Sequence, residues 1–109
     1  MPLTRHFRKT ILSRAQKDAG FRHAMLEEAV EAFLSGEVEA GKILLRDYIH
    51  VTITFAGLAK ALRKSSKSLQ RMLGPRGNPT ADHIFGMMKV LQQHERLRLR
   101  VKTARTKAA

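Results

Sequence analysis

The sequence predicts a small all-α protein, a multi-helix bundle of five to six helices built around a helix-turn-helix. Three observations predict it. Apolar residues recur at i, i+3 and i+4 over most of the 109 residues. The breaks between those stretches are helix starts and stops, such as Ser35-Gly36, Ser65-Ser66, Gly74-Pro75 and Thr80. From Thr54 to Thr80, two short amphipathic patterns abut across a polar, basic turn.

Thr4 to about Lys17 reads as a basic helix with Phe7, Ile11, Leu12 and Ala15 at helical spacing, and Gly20 interrupts the pattern. Phe21 to Leu34 places Met25, Ala29, Ala32 and Phe33 on one stripe, with Leu26 and Val30 beside it. Ser35-Gly36 then provides a C-terminal stop. A third helix from Glu37 or Val38 to about Ile49 offers Leu44, Leu45, Tyr48 and Ile49 to a core. The run from Ile49 to Thr54 is rich in branched residues, but without a partner strand it reads as a connector, and Thr54 caps the helix-turn-helix.

Phe55, Leu58, Ala59 and Leu62 make one apolar face, and Leu69, Met72 and Leu73 repeat the spacing beyond Arg63-Lys64-Ser65-Ser66. Ser65 or Ser66 can accept a hydrogen bond from a free backbone N–H and so start the second helix, which Gly74-Pro75 stops because proline has no N–H. The residues Pro75-Arg76-Gly77-Asn78-Pro79 specify turns. Thr80, with Asp82 in the first turn, restarts a helix whose Ile84, Met88 and Leu91, with Phe85, pack across the preceding pair. Beyond His94, arginines alternate with Leu97, Leu99 and Val101. That pattern predicts either an edge strand or a fraying helix end with a disordered tail that adds sequence-independent phosphate affinity. The organisation expected is an N-terminal helical segment over 1–36, a helix-turn-helix domain over 37–95 and a basic tail over 96–109.

Charge is abundant and unevenly placed. Lys and Arg number 21 against 9 Asp and Glu, for a formal net charge of +12, which implies a polyanionic partner. No acid falls between Asp47 and Asp82, an interval that holds Lys60, Arg63, Lys64, Lys67, Arg71 and Arg76. Seven acids, among them Glu27, Glu28 and Glu31, instead collect between residues 18 and 47. That stretch is either a face for a basic protein or a solvated acidic helix.

With Leu69, Met72 and Leu73 turned inward, Ser66, Lys67, Gln70 and Arg71 face outward. Arg and Lys can pair with guanine and Gln with adenine, so these four are the candidate base readers. Lys60, Arg63, Lys64, Ser65 and Arg76 are the candidate phosphate contacts. The alternative on spacing alone is an ordinary helical hairpin with a solvated basic face.

The run from Leu58 to Thr80 resembles the helix-turn-helix of HigA-like antitoxins, the addiction-module antidote proteins of the lambda-repressor-like (Xre/Cro) group. The resemblance rests on Leu58-Ala59 in the first helix, Ser65 at the turn, Ser68-Leu69 and Leu73 in the recognition helix, and the closing Gly77-Asn78-Pro79-Thr80. It runs from Ile53 to Leu91, and Leu44 to Ile49 looks like the lead-in helix. It implies a lambda-repressor-like fold and an autorepressing antitoxin that reads DNA through Ser66, Lys67, Gln70 and Arg71. It also implies a homodimer, and a RelE-like ribonuclease toxin as partner. One departure matters: where the family usually has glycine at the turn, this chain has Arg63, so either the turn relaxes or Arg63 adopts a left-handed conformation at some expense.

Other classes are disfavoured. The absence of cysteine excludes disulfides, thiolate metal sites and cysteine nucleophiles. The five histidines, His6, His23, His50, His83 and His94, lack metal-pair spacing and read as surface or helix-end residues, with His50 and His83 able to lie near phosphates. Gly74-Pro75-Arg76-Gly77 lacks the ending of a P-loop. No enzyme, cofactor or metal is expected, and no apolar run or signal-like segment points to a membrane or to secretion, so a cytoplasmic, nucleoid-associated bacterial protein is expected. Two other functions stay open: a toxin-sequestering interaction protein with little DNA specificity, and a non-specific basic protein of RNA or the chromosome.

Overall fold

The computed structural model describes residues 5–107, so the expected helix start at Thr4 and the last two residues of the tail lie outside the described residues. Six helices succeed one another: α1 (Arg5–Lys17), α2 (Ala19–Leu34), α3 (Val38–Val51), α4 (Thr54–Leu62), α5 (Ser66–Met72) and α6 (Ala81–Glu95). No strand occurs among the described residues, and the chain is a small all-α bundle. No described helix is long and apolar enough to cross a membrane.

One core draws on every helix. Ala15 of α1 meets Met25, Leu26 and Ala29 of α2 and Leu45, Tyr48 and Ile49 of α3; Phe55, Leu58, Leu69, Leu73, Met87 and Leu91 complete it from the C-terminal half. The i, i+3, i+4 spacing read from the sequence selects these residues, because it puts them on one side of each helix. α2 packs chiefly on α3, and Gly41 permits the close approach: a Cβ there would stand 2.7 Å from the Phe33 ring.

Local chemistry fixes the helix ends. Asp18, not Gly20, separates α1 from α2. Its carboxylate accepts from the Phe21 N–H at 3.1 Å as the N-cap, and Gly20 sits in the first turn of α2. Ser65 caps α5 by accepting from Ser68 N–H, and Thr80 caps α6 by accepting from His83 N–H. Three helices end in a left-handed residue followed by a backbone bond reaching back five residues. At Gly36 the bond is Glu37 N–H to Ala32 O, at Arg63 Lys64 N–H to Ala59 O, and at Arg96 Leu97 N–H to Gln92 O.

Three further expectations are corrected. The branched run at 49–54 is helical through Val51, which leaves Thr52 and Ile53 as the turn, and Thr52 Oγ1 donates back to Tyr48 O at 2.7 Å. Phe85 does not pack inward but is 64% exposed, and Met87 takes the core position, because the buried stripe of α6 runs through Met87, Met88 and Leu91. The alternating Arg-Leu segment is neither a strand nor a free tail at its start. Leu97 and Leu99 lie against the core, Arg98 and Arg100 face out, and Leu99 N–H donates to Gln92 Oε1 at 2.8 Å.

Polar contacts bind the layers at three points. Arg8 of α1 pairs with Asp47 of α3. Arg22 of α2 reaches Glu95 of α6 at 2.7 Å and also donates to Ala15 O and Gln16 O, satisfying carbonyls at the end of α1. Lys42, 1% exposed on α3, sends its ammonium to Gly74 O at 2.9 Å and Gly77 O at 2.8 Å, with Glu39 at 2.8 Å. Beside the second group, the Tyr48 hydroxyl is buried without a hydrogen-bond partner among the described residues. Burial first, and the Glu95 carboxylate second, hold the phenol proton on well above the ordinary tyrosine range, with Arg22 opposing in part.

These two buried polar groups should respond in opposite ways to removal. Lys42→Met keeps the stem but leaves two carbonyls without their charged donor, and should lower unfolding free energy by about 1–3 kcal/mol. Tyr48→Phe removes a buried hydroxyl whose one polar neighbour, the Glu95 carboxylate, does not meet it in a well-formed hydrogen bond, and should leave stability unchanged or raise it by up to ~1 kcal/mol. Urea unfolding of the two variants beside the parent protein measures both.

Candidate nucleic-acid interface

α4 and α5 form the helix pair expected from the sequence, joined by Arg63, Lys64 and Ser65. Arg63 resolves the question raised by the absent glycine: it lies at φ 55°, ψ 44°, in the left-handed region, and the turn keeps its tight form. Thr54 at the start of α4 also has a positive φ, 69°, unusual for a β-branched residue, while its hydroxyl accepts from Gly57 N–H at 3.3 Å.

α5 has a buried back and an exposed front. Leu69 and Leu73 are fully packed and Met72 is half-buried. Successive residues of an α-helix are about 100° apart around the axis. Ser66, Gln70, Lys67 and Arg71 therefore lie side by side around one contiguous arc; Lys67, Gln70 and Arg71 are exposed and Ser66 is half-buried. Gln70 Nε2 donates to Ser66 Oγ at 3.0 Å, a bond along the helix that holds the amide in place.

The front divides into two sides. Ser66 and Gln70 border a cleft also lined by Arg46 and His50 of α3, whereas Arg71 lines a smaller hollow with Arg76, Gly77 and Asn78. Lys67 lies between them on the arc. Lys60, in the last turn of α4, and Arg63 and Lys64 of the turn are exposed. Ser65 is exposed too, but its hydroxyl is engaged as the cap of α5. Arg76 is exposed on the loop beyond α5.

That loop is held from behind. Gly77 N–H donates to Gly74 O at 3.0 Å, and the Lys42 ammonium takes both glycine carbonyls. A Cβ on Gly77 would stand 2.2 Å from Arg71 O and 2.3 Å from Met72 O, so the loop folds back against the end of α5 as only glycine allows. Sequence reasoning missed Lys42 because a lone lysine in an amphipathic helix reads as a surface residue. The one available signal was its place in the heptad-like stripe, one turn before Leu45 and Ile49. Arg46 and Arg8 were likewise not singled out, and His50 was expected only near phosphates, since only the fold brings α1 and α3 beside the candidate readers of α5. Among the described residues, no group of three His, Cys, Asp or Glu side chains could hold a metal ion.

Arg63→Gly tests the strain at the turn. Removing the side chain from a left-handed position should raise unfolding free energy by about 0.5–1 kcal/mol, seen as a higher melting temperature.

Compared with protein-family models, with curated proteins and with solved structures, the chain gives no match.

Proposed function

We propose that the protein is a sequence-specific DNA-binding regulator that places α5 in the major groove, acting as an autorepressing antitoxin of a toxin-antitoxin module. One observation carries the DNA reading: a short helix, buried on one side by Leu69 and Leu73 and clamped at its exit through Lys42, presents Ser66, Gln70, Lys67 and Arg71 as a continuous polar arc. Such residues on a rigid helix suit base edges, and the flanking cations suit phosphates. The absence of any carboxylate between Asp47 and Asp82 keeps that approach free of repulsion. The antitoxin role rests on the resemblance of Leu58–Thr80 to HigA-like proteins. By that resemblance the protein acts as a dimer on two half-sites about one helical turn apart.

A specific feature also favours a protein partner. Glu27, Glu28 and Glu31 are exposed along α2 and Glu37 at its junction with α3, acidic groups outside any ion pair among the described residues and suited to a basic toxin. DNA reading and toxin binding use different helices and are compatible.

A footprint on the DNA upstream of the protein's own coding region should show a symmetric pair of protected half-sites. A featureless, strongly salt-sensitive pattern would instead mark a non-specific binder. Gln70→Ala and Arg71→Ala should each lose about 1–3 kcal/mol of discrimination between that site and random duplex in competition binding. Equal weakening on every sequence would refute base reading by these two residues.

A further inference from the structure

α1 and α3 stand across a cleft from α5. The cleft is open to solvent and has a volume of about 590 Å³, with Arg8 of α1 and Arg46 and His50 of α3 on one side, and Ser66 and Gln70 of α5 on the other. Leu12 and Phe55 also line it, so its walls mix apolar surface with cations. Arg8 is already matched by Asp47, whose carboxylate lines the same cleft. Arg46 is half-buried, and neither it nor His50 has an ion-pair partner among the described residues.

A partly desolvated guanidinium without a counter-charge gains more from an incoming anion than a fully solvated one does. Geometry identifies the anion. A helix lying in the major groove has a phosphate backbone along each side, and the strand on the Ser66–Gln70 side must pass α1 and the end of α3. We propose that this cleft seats the phosphates of that strand, with Arg46 as the direct contact, His50 at the rim, and α1 as the outer wall. The inference rests on the DNA reading of α5 and extends the interface from the helix pair to α1 and the C-terminal half of α3. Because Arg8 and Asp47 cancel, the cleft offers one net permanent charge, that of Arg46, and Asp47 acts as a brake on affinity.

The test is the salt dependence of binding of the full chain to its upstream duplex and to random duplex. Arg46→Ala should weaken both about fivefold at ~0.15 M salt and flatten the slope of log affinity against log salt by about 0.9. Asp47→Asn, which frees the Arg8 charge, should strengthen both by a similar factor and steepen the slope. A role confined to holding the fold would not produce that gain. The ratio between the two duplexes should stay constant in both variants. Unchanged affinity and slope in both, or a changed ratio, would overturn the proposal while leaving base reading by α5 intact. Absence of salt-dependent duplex binding by the parent protein would overturn both. Should Arg46→Ala fail to fold, Ala56→Glu serves in its place: Ala56 is exposed on α4 and lines the cleft, so a carboxylate there should weaken both duplexes with the melting temperature unchanged.

Discussion

The ammonium of Lys42 is the contact on which the presentation of α5 depends. A buried charge is costly unless its donors are met, and here all the partners are placed by local structure: the carbonyls of Gly74 and Gly77 in the loop, and Glu39 one turn earlier on α3. The bonds join α3 to the exit of a seven-residue helix that, by length, has little stability of its own. Hydrophobic anchoring by Leu69 and Leu73 fixes the depth of α5. The lysine fixes the path of the chain that leaves it, and through Gly77 the position of Arg71 and Arg76.

Charge of both signs is used differently inside and outside. Two ion pairs, Arg8–Asp47 and Arg22–Glu95, tie α1 to α3 and α2 to α6. Because Arg22 and Glu95 are both largely shielded, their attraction is screened less than that of a surface pair. Outside, Lys60, Arg63, Lys64, Lys67, Arg71 and Arg76 are all exposed, and no ion pair among the described residues engages any of them. Their mutual repulsion costs stability, and a polyanion would relieve it.

The helices were legible in the sequence because their signals are local. Spacing gave Leu58, Leu69, Leu73 and Leu91 as buried, and short polar residues gave the caps at Ser65 and Thr80. The failures have a common cause. Phe85 and Met87 are both apolar and lie two positions apart, so the stripe of α6 that faces inward depends on how α6 crosses α4. The alternation of Leu97 and Leu99 with arginines is a true period of two, yet it marks one extended strap held by Gln92 instead of a paired strand. The arc of α5 was legible from its own seven residues, whereas the grouping of Arg46 and His50 with Gln70 required the tertiary fold.

The left-handed stops show where the chain tolerates strain. At the acidic end, between α2 and α3, the left-handed position is Gly36, which adopts φ 80° freely. At the two stops in the basic half, after α4 and after α6, the same backbone turn is made by Arg63 and Arg96, each at a cost on the order of 1 kcal/mol that glycine would avoid. Neither arginine is buried and neither forms an ion pair among the described residues, so no internal contact offsets the strain. What each arginine adds is a cation at a rigid corner of the basic surface. Arg63 sits at the tip between the two helices of the pair, where a side chain on a fixed backbone can meet a phosphate with less ordering cost than one on a mobile loop. The departure from glycine at the turn is therefore coherent with a polyanion-binding surface: local stability is lower and fixed positive charge is higher at the same residue.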